Sequence, residues 1–336
     1  MDLARSLHIL YVVVVSVVSI LTLISNMATI VSFFKVRLLR QKPNNLLILN
    51  LSCADLGVGL IQIYRFPKTA FRIWPYGKYG CQLLHFLVSL FVSAGMVTTI
   101  AIGMDRFLLL SRDYPKYLMI QSRKRIINII GGIWLYGILL GSSEVLLWDI
   151  LTPPTLHDYY DFNLDCRSPP KHNVVYALVV FMLGIFGPLL AIDSFSIAFF
   201  VRLIRKLRQP MVHPSSNTGM SSQIIHPSSS RSAAAPNSVP MANGADVLRP
   251  GADPNQRYKK AAVLLGAIVL LVNICTLPFV LYVIITSVFC PQCNNAYHRD
   301  ILGDLLYLNS CINPFLYAGT MIKIRKFYKR VLCNTR

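Results

Sequence analysis

The sequence predicts an all-α membrane protein, a seven-transmembrane helix bundle with a short amphipathic C-terminal helix. Three observations lead there. Of 336 residues, 54% are hydrophobic and 14% charged, whereas about a quarter of a water-soluble chain is charged. The apolar residues gather in stretches long enough to cross a hydrocarbon core of about 30 Å at roughly 1.5 Å per helical residue. The formal charge of +19 is concentrated between those stretches. That placement follows the bias of cytoplasmic loops toward Lys and Arg, and it argues against nucleic acid as a partner.

The seven stretches run over roughly residues 8–34, 44–66, 81–111, 126–148, 173–204, 259–288 and 300–320. The first follows Arg5 directly. It is too long for the apolar part of a cleavable signal, so it reads as a spanning helix that also targets the chain. Several stretches exceed about twenty residues, which implies tilt or protrusion into water. The seventh is the most polar, carrying Asp304, Asn309, Ser310 and Asn313. Polar groups in a spanning helix turn toward the bundle interior. No internal repeat marks the chain as a transporter.

Orientation follows from the short loops. Lys35, Arg37, Arg40 and Lys42 lie between the first two stretches, and Arg112, Lys116, Arg123, Lys124 and Arg125 after the third. Arg202, Arg205, Lys206 and Arg208 end the fifth, while Arg257, Lys259 and Lys260 open the sixth. The other side mixes Arg65, Lys68, Arg72 and Lys78 with Asp149, Asp158, Asp161, Asp165 and Asp300. The basic side is therefore predicted to be cytoplasmic, with the N-terminus outside and the C-terminus inside.

Residues 1–320 form one bundle domain in this reading, interrupted by a segment of different character. Residues 209–256 are rich in Ser, Pro, Ala, Asn and Gly and nearly free of aromatics, so they cannot bury a core and are expected to be disordered. Ser228–Ser232 reads as a phosphorylation cluster or as a solvated linker. In 321–336, Met321, Ile324, Tyr328 and Val331 recur at helical spacing among Lys323, Lys326 and Arg330. This is the pattern of a helix lying on anionic membrane lipid. Cys333 at its end is a palmitoylation candidate, with a plain reduced thiol as the alternative.

Of the eight cysteines, Cys53, Cys275 and Cys311 fall within helices and read as packing residues. Four others fall on the outer side, where disulfides persist. Joining Cys81 to Cys166 would pin the loop before the fifth helix over the bundle. Cys290 and Cys293 are spaced to close a small ring, or to hold a metal if a second pair were present; none follows.

One marker after another, in order and in register, resembles the rhodopsin-like (class A) G-protein-coupled receptors. They are Ser25-Asn26, the run Asn50 to Asp55, Cys81 with Asp105-Arg106-Phe107, Trp134, Pro188, Cys275 to Pro278, and Asn313-Pro314 through Tyr317. The resemblance covers all seven helices and the amphipathic tail. It implies a plasma-membrane receptor that is not an enzyme. The receptor would transduce an extracellular small-molecule signal to a heterotrimeric G protein, with arrestin and receptor kinases as further partners. Arg106 would pair with Asp105 at rest and face the G protein after the sixth helix swings out. Pro278, Asn313, Pro314 and Tyr317 would belong to the switch. Asp55 with Asn26, Asn309, Ser310 and Asn313 would form a polar cluster able to hold a sodium ion, or a hydrated cluster without one. Beyond that ion no cofactor is implied.

This chain also departs from the family's pattern. Tyr258 and Lys259 stand where an acid often locks the arginine, and Phe107 lacks the usual tyrosine hydroxyl. Thr276, Val272 and Ser196 replace three switch side chains, and Gly95 replaces a serine of the sodium site. A receptor that is constitutively active, or that modulates another receptor, is therefore the alternative. Loop and tail features, among them Trp74-Pro75-Tyr76-Gly77 and the Cys290/Cys293 pair, are similar to the aminergic branch. The aspartate which that branch places on the third helix is Val88 here, and Val180, Phe181 and Gly184 replace the fifth-helix serines. A buried ammonium without a counter-charge costs several kcal/mol. Glu144 or Asp304 could supply the charge, whereas Arg65 and His85 would favour an acidic ligand. The expected ligand contacts are Val88, Ser89, Val92, Phe181, Phe279, Tyr307, Arg65 and His85. A retinal Schiff base is excluded, because its lysine position is Tyr307.

Overall fold

The computed structural model describes residues 2–112, 114–151, 166, 173–208 and 254–332. Cys333, the Ser228–Ser232 cluster, most of the 209–256 segment and the outer-loop Asp158, Asp161 and Asp165 lie outside the described residues. The described chain is helical and contains no strand. In order it forms α1 (Asp2–Lys35), α2 (Arg37–Arg40), α3 (Asn45–Tyr64), α4 (Phe66–Phe71), α5 (Gly77–Ser111), α6 (Tyr114–Ile120), α7 (Arg123–Leu146) and α8 (Trp148–Leu151). After Cys166 come α9 (Val174–Phe181), a π-helical turn over Met182–Phe186, and α10 (Gly187–Arg208). Then come α11 (Pro254–Ile284), a second π turn over Ile285–Phe289, a 3₁₀ turn over Pro291–Cys293, α12 (Ala296–Thr320) and α13 (Ile322–Leu332).

Local chemistry sets the boundaries. Pro67 sits in the first turn of α4, where its missing N–H has no intrahelical acceptor to lose. Arg72 closes α4 in the left-handed region at φ 57°, and Gly77 opens α5 at φ 60°, where glycine carries no steric penalty. Ser122 caps α7 by accepting from the Arg125 amide at 3.3 Å, and Asn173 caps α9 by accepting from the Tyr176 amide at 3.1 Å. Pro188 removes one rung of the hydrogen-bond ladder, and the preceding turn widens to a π turn. There the Gly187 amide reaches Met182 O, and a Cβ at Gly187 would lie 2.6 Å from that oxygen. Helix α11 is described from Pro254, so 254–256, expected to be disordered, are helical.

Six helical stretches are long and apolar enough to cross a membrane: those in α1, α3, α5, α7, α9–α10 and α11 with its π turn. The seventh, α12, has 25 residues, enough for a crossing, but falls short in hydropathy. Its polar residues are taken up by the bundle: Asp304, Ser310 and Asn313 are all buried. Helix α5 is the central column and packs on α3, α7, α10 and α11, while α1 packs on α3 and α12. A continuous core links Leu51 and Ala54 of α3, Ala94 and Ile102 of α5, Ile192 of α10 and Val272 of α11. In lipid the apolar effect does not drive helices together, so close backbone approach and interhelical hydrogen bonds matter more.

Two such devices join α3, α5 and α7. Trp134 Nε1 donates to Asn50 Oδ1 at 2.9 Å, and Asn50 Nδ2 donates to Thr98 Oγ1 at 2.8 Å. Gly137 and Gly141, one turn apart on α7, lie against the backbone of α5. A Cβ on them would come within 2.9 Å of Leu90 O and 2.8 Å of Phe86 O. Only the absence of side chains lets the two helices meet there.

Candidate functional site

Helix α5 connects three regions. At its outer end Cys81 is joined to Cys166 with Cα atoms 5.4 Å apart. Trp74, Leu84 and Trp148 are buried around the pair, and Trp74 Nε1 donates to Gly77 O at 2.9 Å. Lys68 Nζ donates to Cys166 O at 3.0 Å, which fixes this point of the outer loop over the bundle. Cys290 and Cys293 are also joined, across the 3₁₀ turn, with Cα atoms 5.3 Å apart.

Below Cys166 lies a cavity of about 550 Å³ between α5, α7, α9–α10 and α11. Val88, Ser89, Val92, His85, Phe181 and Phe279 line it. Lys68, Arg299 and Asp300 contribute from the outer ends of α4 and α12, and Glu144 from α7. Arg65 and Tyr307, expected among the ligand contacts, are not in the lining. Arg65 Nη1 is held by Asp304 Oδ1 at 2.8 Å, and its guanidinium lies 5.6 Å from the Tyr307 ring centre. Tyr11 of α1 donates to the second Asp304 oxygen. This largely shielded ion pair joins α1, the C-terminal end of α3 and α12 beside the cavity instead of opening into it. Composition gave no means of pairing Arg65 with Asp304, since 239 residues separate them.

The second region is the polar cluster at mid-bundle. Asp55 is 2% exposed. Asn313 Nδ2 donates to it at 2.9 Å, and Ser310 also hydrogen-bonds it. Asn26 Nδ2 donates to Ser310 O at 2.9 Å and ties α1 to α12. The oxygens Asn26 Oδ1, Ser52 Oγ, Asn309 Oδ1 and Asn313 Oδ1 are buried with no hydrogen-bond partner. The Asp55 carboxylate and Asn313, whose Oδ1 keeps its lone pairs, are hard oxygen donors of the kind that suits a small cation. At Gly95 an added Cβ would meet only Leu51, at 3.8 Å, so the missing serine leaves space there.

The third region is the inner end. Asp105 is 3% exposed, and Arg106 Nη1 lies 3.6 Å from its Oδ2. Its other oxygen accepts from the Tyr117 hydroxyl at 3.0 Å and from Gln121 Nε2. Asn44 donates in turn to Tyr117. Burial, and then the charge of Asp105, push the Tyr117 phenol above its ordinary pKa, so it remains a donor. Phe107 lies under Arg202 of α10, 4.9 Å from guanidinium to ring centre, so the ring is used although the tyrosine hydroxyl is absent. Tyr317 is fully buried and its hydroxyl has no hydrogen-bond partner. Pro278 and Pro314 lie inside α11 and α12. Helix α13 returns to α1, where Tyr328 donates to Ser25 O at 3.1 Å.

Sequence reasoning missed Tyr117, Gln121, Asp193 and Asn273. Asp193 was detectable as an acid within the apolar fifth stretch, a placement that calls for a partner. Asn273 Nδ2 supplies it at 2.8 Å.

Seven packed helices around a polar interior, with an outer cavity and an acid-base pair whose acid is buried at the inner end, define a seven-helix receptor. Residues 25–317 match the 7 transmembrane receptor (rhodopsin family), and the chain belongs to that family. Among curated relatives, melanopsin of Rattus norvegicus is 30% identical over 190 residues, covering 55% of this chain and 38% of that protein. Melanopsin of Homo sapiens is 27% identical over 190 residues, again covering 38% of that protein. The octopamine receptor beta-2R of Chilo suppressalis is 25% identical over 322 residues, which cover 92% of this chain and 76% of that one. The chain thus spans less than two fifths of the length of the melanopsins it matches.

Proposed function

We propose that this protein is a plasma-membrane receptor that converts binding of an extracellular small molecule into nucleotide exchange on a heterotrimeric G protein. The observation that carries this reading is the placement of two features on one helix. Cavity residues Val88, Ser89 and Val92 and the Asp105-Arg106 pair belong to α5. A ligand that prefers one packing of α5 against its neighbours shifts the population of inner-end states by its difference in affinity between them. Asp105 is held by Arg106, Tyr117 and Gln121 together, which supports a gated resting state over a constitutive one despite the missing acid on α11.

Arrestin and receptor kinases would meet the same inner face, α13 would rest on inner-leaflet lipid, and Cys333 would carry a palmitoyl chain. The N-terminus would lie outside and the C-terminus inside. Asp55 would hold a sodium ion in the resting packing. A retinal-bearing function is disfavoured, since α12 contains no lysine. The octopamine receptor among the relatives supports an organic small molecule as ligand, and its name points to an amine. The test is nucleotide exchange on purified G protein by receptor in lipid nanodiscs, screened against a small-molecule library. A compound that changes the rate, in a manner lost on Arg106→Ala, supports the reading. Library-wide silence with high unliganded exchange would sink ligand gating.

A further inference from the structure

We propose that Glu144 of α7 is the anionic anchor of the cavity, so that the ligand is a cation whose ammonium binds against the Glu144 carboxylate beside Ser89. This rests on the reading of the cavity as the ligand site. Gly137, Gly141 and Glu144 follow one another at helical spacing along the face of α7 that meets α5. The close approach allowed by the glycines brings the two helices together beside Ser89. There Ser89 Oγ donates to Glu144 Oε1 at 3.0 Å. Glu144 is 1% exposed, yet it lines the cavity.

The charges nearby divide by depth. Arg65 is withdrawn from the cavity by Asp304, and Lys68 lies beside Asp300 at the rim, 3.9 Å away. Among the described lining residues Glu144 is the buried acid, whereas the Lys68 and Asp300 side chains are 20% and 37% exposed. An ammonium entering the cavity loses hydration that only an anion or aromatic faces can replace. Glu144 supplies the anion, and Phe181, Phe279 and Tyr282 supply the rings. The counter-charge missing at Val88 is thus provided from the neighbouring helix across Ser89.

The test uses three probes of similar shape: dibenzylamine, which is protonated at neutral pH, the neutral dibenzyl ether, and the anion dibenzylacetate. Binding is read by ligand-induced thermal stabilisation of the full chain in phosphatidylcholine nanodiscs, without G protein. The ammonium should bind at least about tenfold tighter than the ether, the scale of one charge-assisted hydrogen bond. Glu144→Gln, which keeps the side-chain shape, should erase that preference while leaving the ether unchanged. Val88→Asp added to Glu144→Gln should restore it. Should Glu144→Gln alone fail to fold, Glu144→Asp decides in its place: it keeps the charge but draws the carboxylate back by one methylene, which should lower the preference for the ammonium. Equal binding of ammonium and ether, tighter binding of dibenzylacetate, or a preference that survives Glu144→Gln would each overturn the proposal. So would a folded Glu144→Asp variant whose preference equals the parent's. Nucleotide exchange is measured separately. Its failure beside intact ammonium selectivity would count against the receptor reading and not against the Glu144 anchor.

Discussion

Asn273 on α11 donates its side-chain amide to Asp193 on α10 at 2.8 Å, and to Val269 O on its own helix at 3.0 Å. An acid within an apolar helix is costly unless something answers it, and here the answer comes from the neighbouring helix. The bond ties α10 to α11, and if it holds the resting packing its loss should raise basal exchange. Asp193→Ala should raise unliganded nucleotide exchange by about three- to fifteen-fold, the range of interhelical hydrogen bonds in membranes. Exchange rates equal to the parent at matched receptor density would show that the bond is only a packing contact.

The inner end yields a prediction with two opposite signs. Arg106→Ala should abolish stimulated exchange with surface expression intact, because the cation that would meet the G protein is gone. Gln121→Leu should act in the other direction. It removes one donor from Asp105 while Arg106 and Tyr117 remain, so the resting pair is loosened and basal exchange rises. A fall in basal exchange on Gln121→Leu would contradict the resting role given to Asp105.

Glycines carry the α5–α7 contact. A Cβ at Gly141 would stand 2.8 Å from Phe86 O, an atom that cannot turn aside. Gly141→Val should force the helices apart and destabilise the receptor by roughly 1–3 kcal/mol, the usual scale of overpacking. It should also weaken the Ser89–Glu144 contact, one turn further out. Gly131→Val is the control, since nothing lies within 4 Å of a Cβ there. The check is the melting temperature in detergent, with both variants expected to reach the membrane.

The seven crossings were legible in the sequence because spanning helices write themselves as long apolar runs, and even the weakest, α12, announced its buried face through Asp304, Asn309 and Asn313. The Asp55 cluster and the Asp105-Arg106 pair were legible for a related reason: charge in an apolar run is costly and therefore conspicuous. Partnership was not legible. Arg65 looked like a ligand contact because its partner Asp304 lies on the last long helix, and no spacing rule joins residues so far apart. Glu144 was visible as an acid near the outer end of the fourth stretch. Only the glycine-mediated approach of α7 to α5 placed it against Ser89 and inside the cavity. Tyr117 and Gln121 carried no sequence signal, because a tyrosine and a glutamine in a short loop are unremarkable until the loop folds onto Asp105.

A last prediction concerns sodium. Asp55 is buried with Asn313 and Ser310 hydrogen-bonded to it, and four further buried oxygens from Asn26, Ser52, Asn309 and Asn313 lack hydrogen-bond partners. A cation taking up those lone pairs should stabilise the resting packing, by mass action in proportion to its occupancy. Raising sodium chloride at constant ionic strength, with N-methylglucamine as the replacement cation, should therefore raise the melting temperature and lower basal exchange. Asp55→Asn removes the charge while keeping the shape and should abolish both effects. The missing serine at Gly95 weakens the donor set by one oxygen, so Gly95→Ser, into open space, should shift the sodium dependence to lower concentration. If sodium and N-methylglucamine act alike on the parent chain, the cluster is a hydrated polar core and not an ion site.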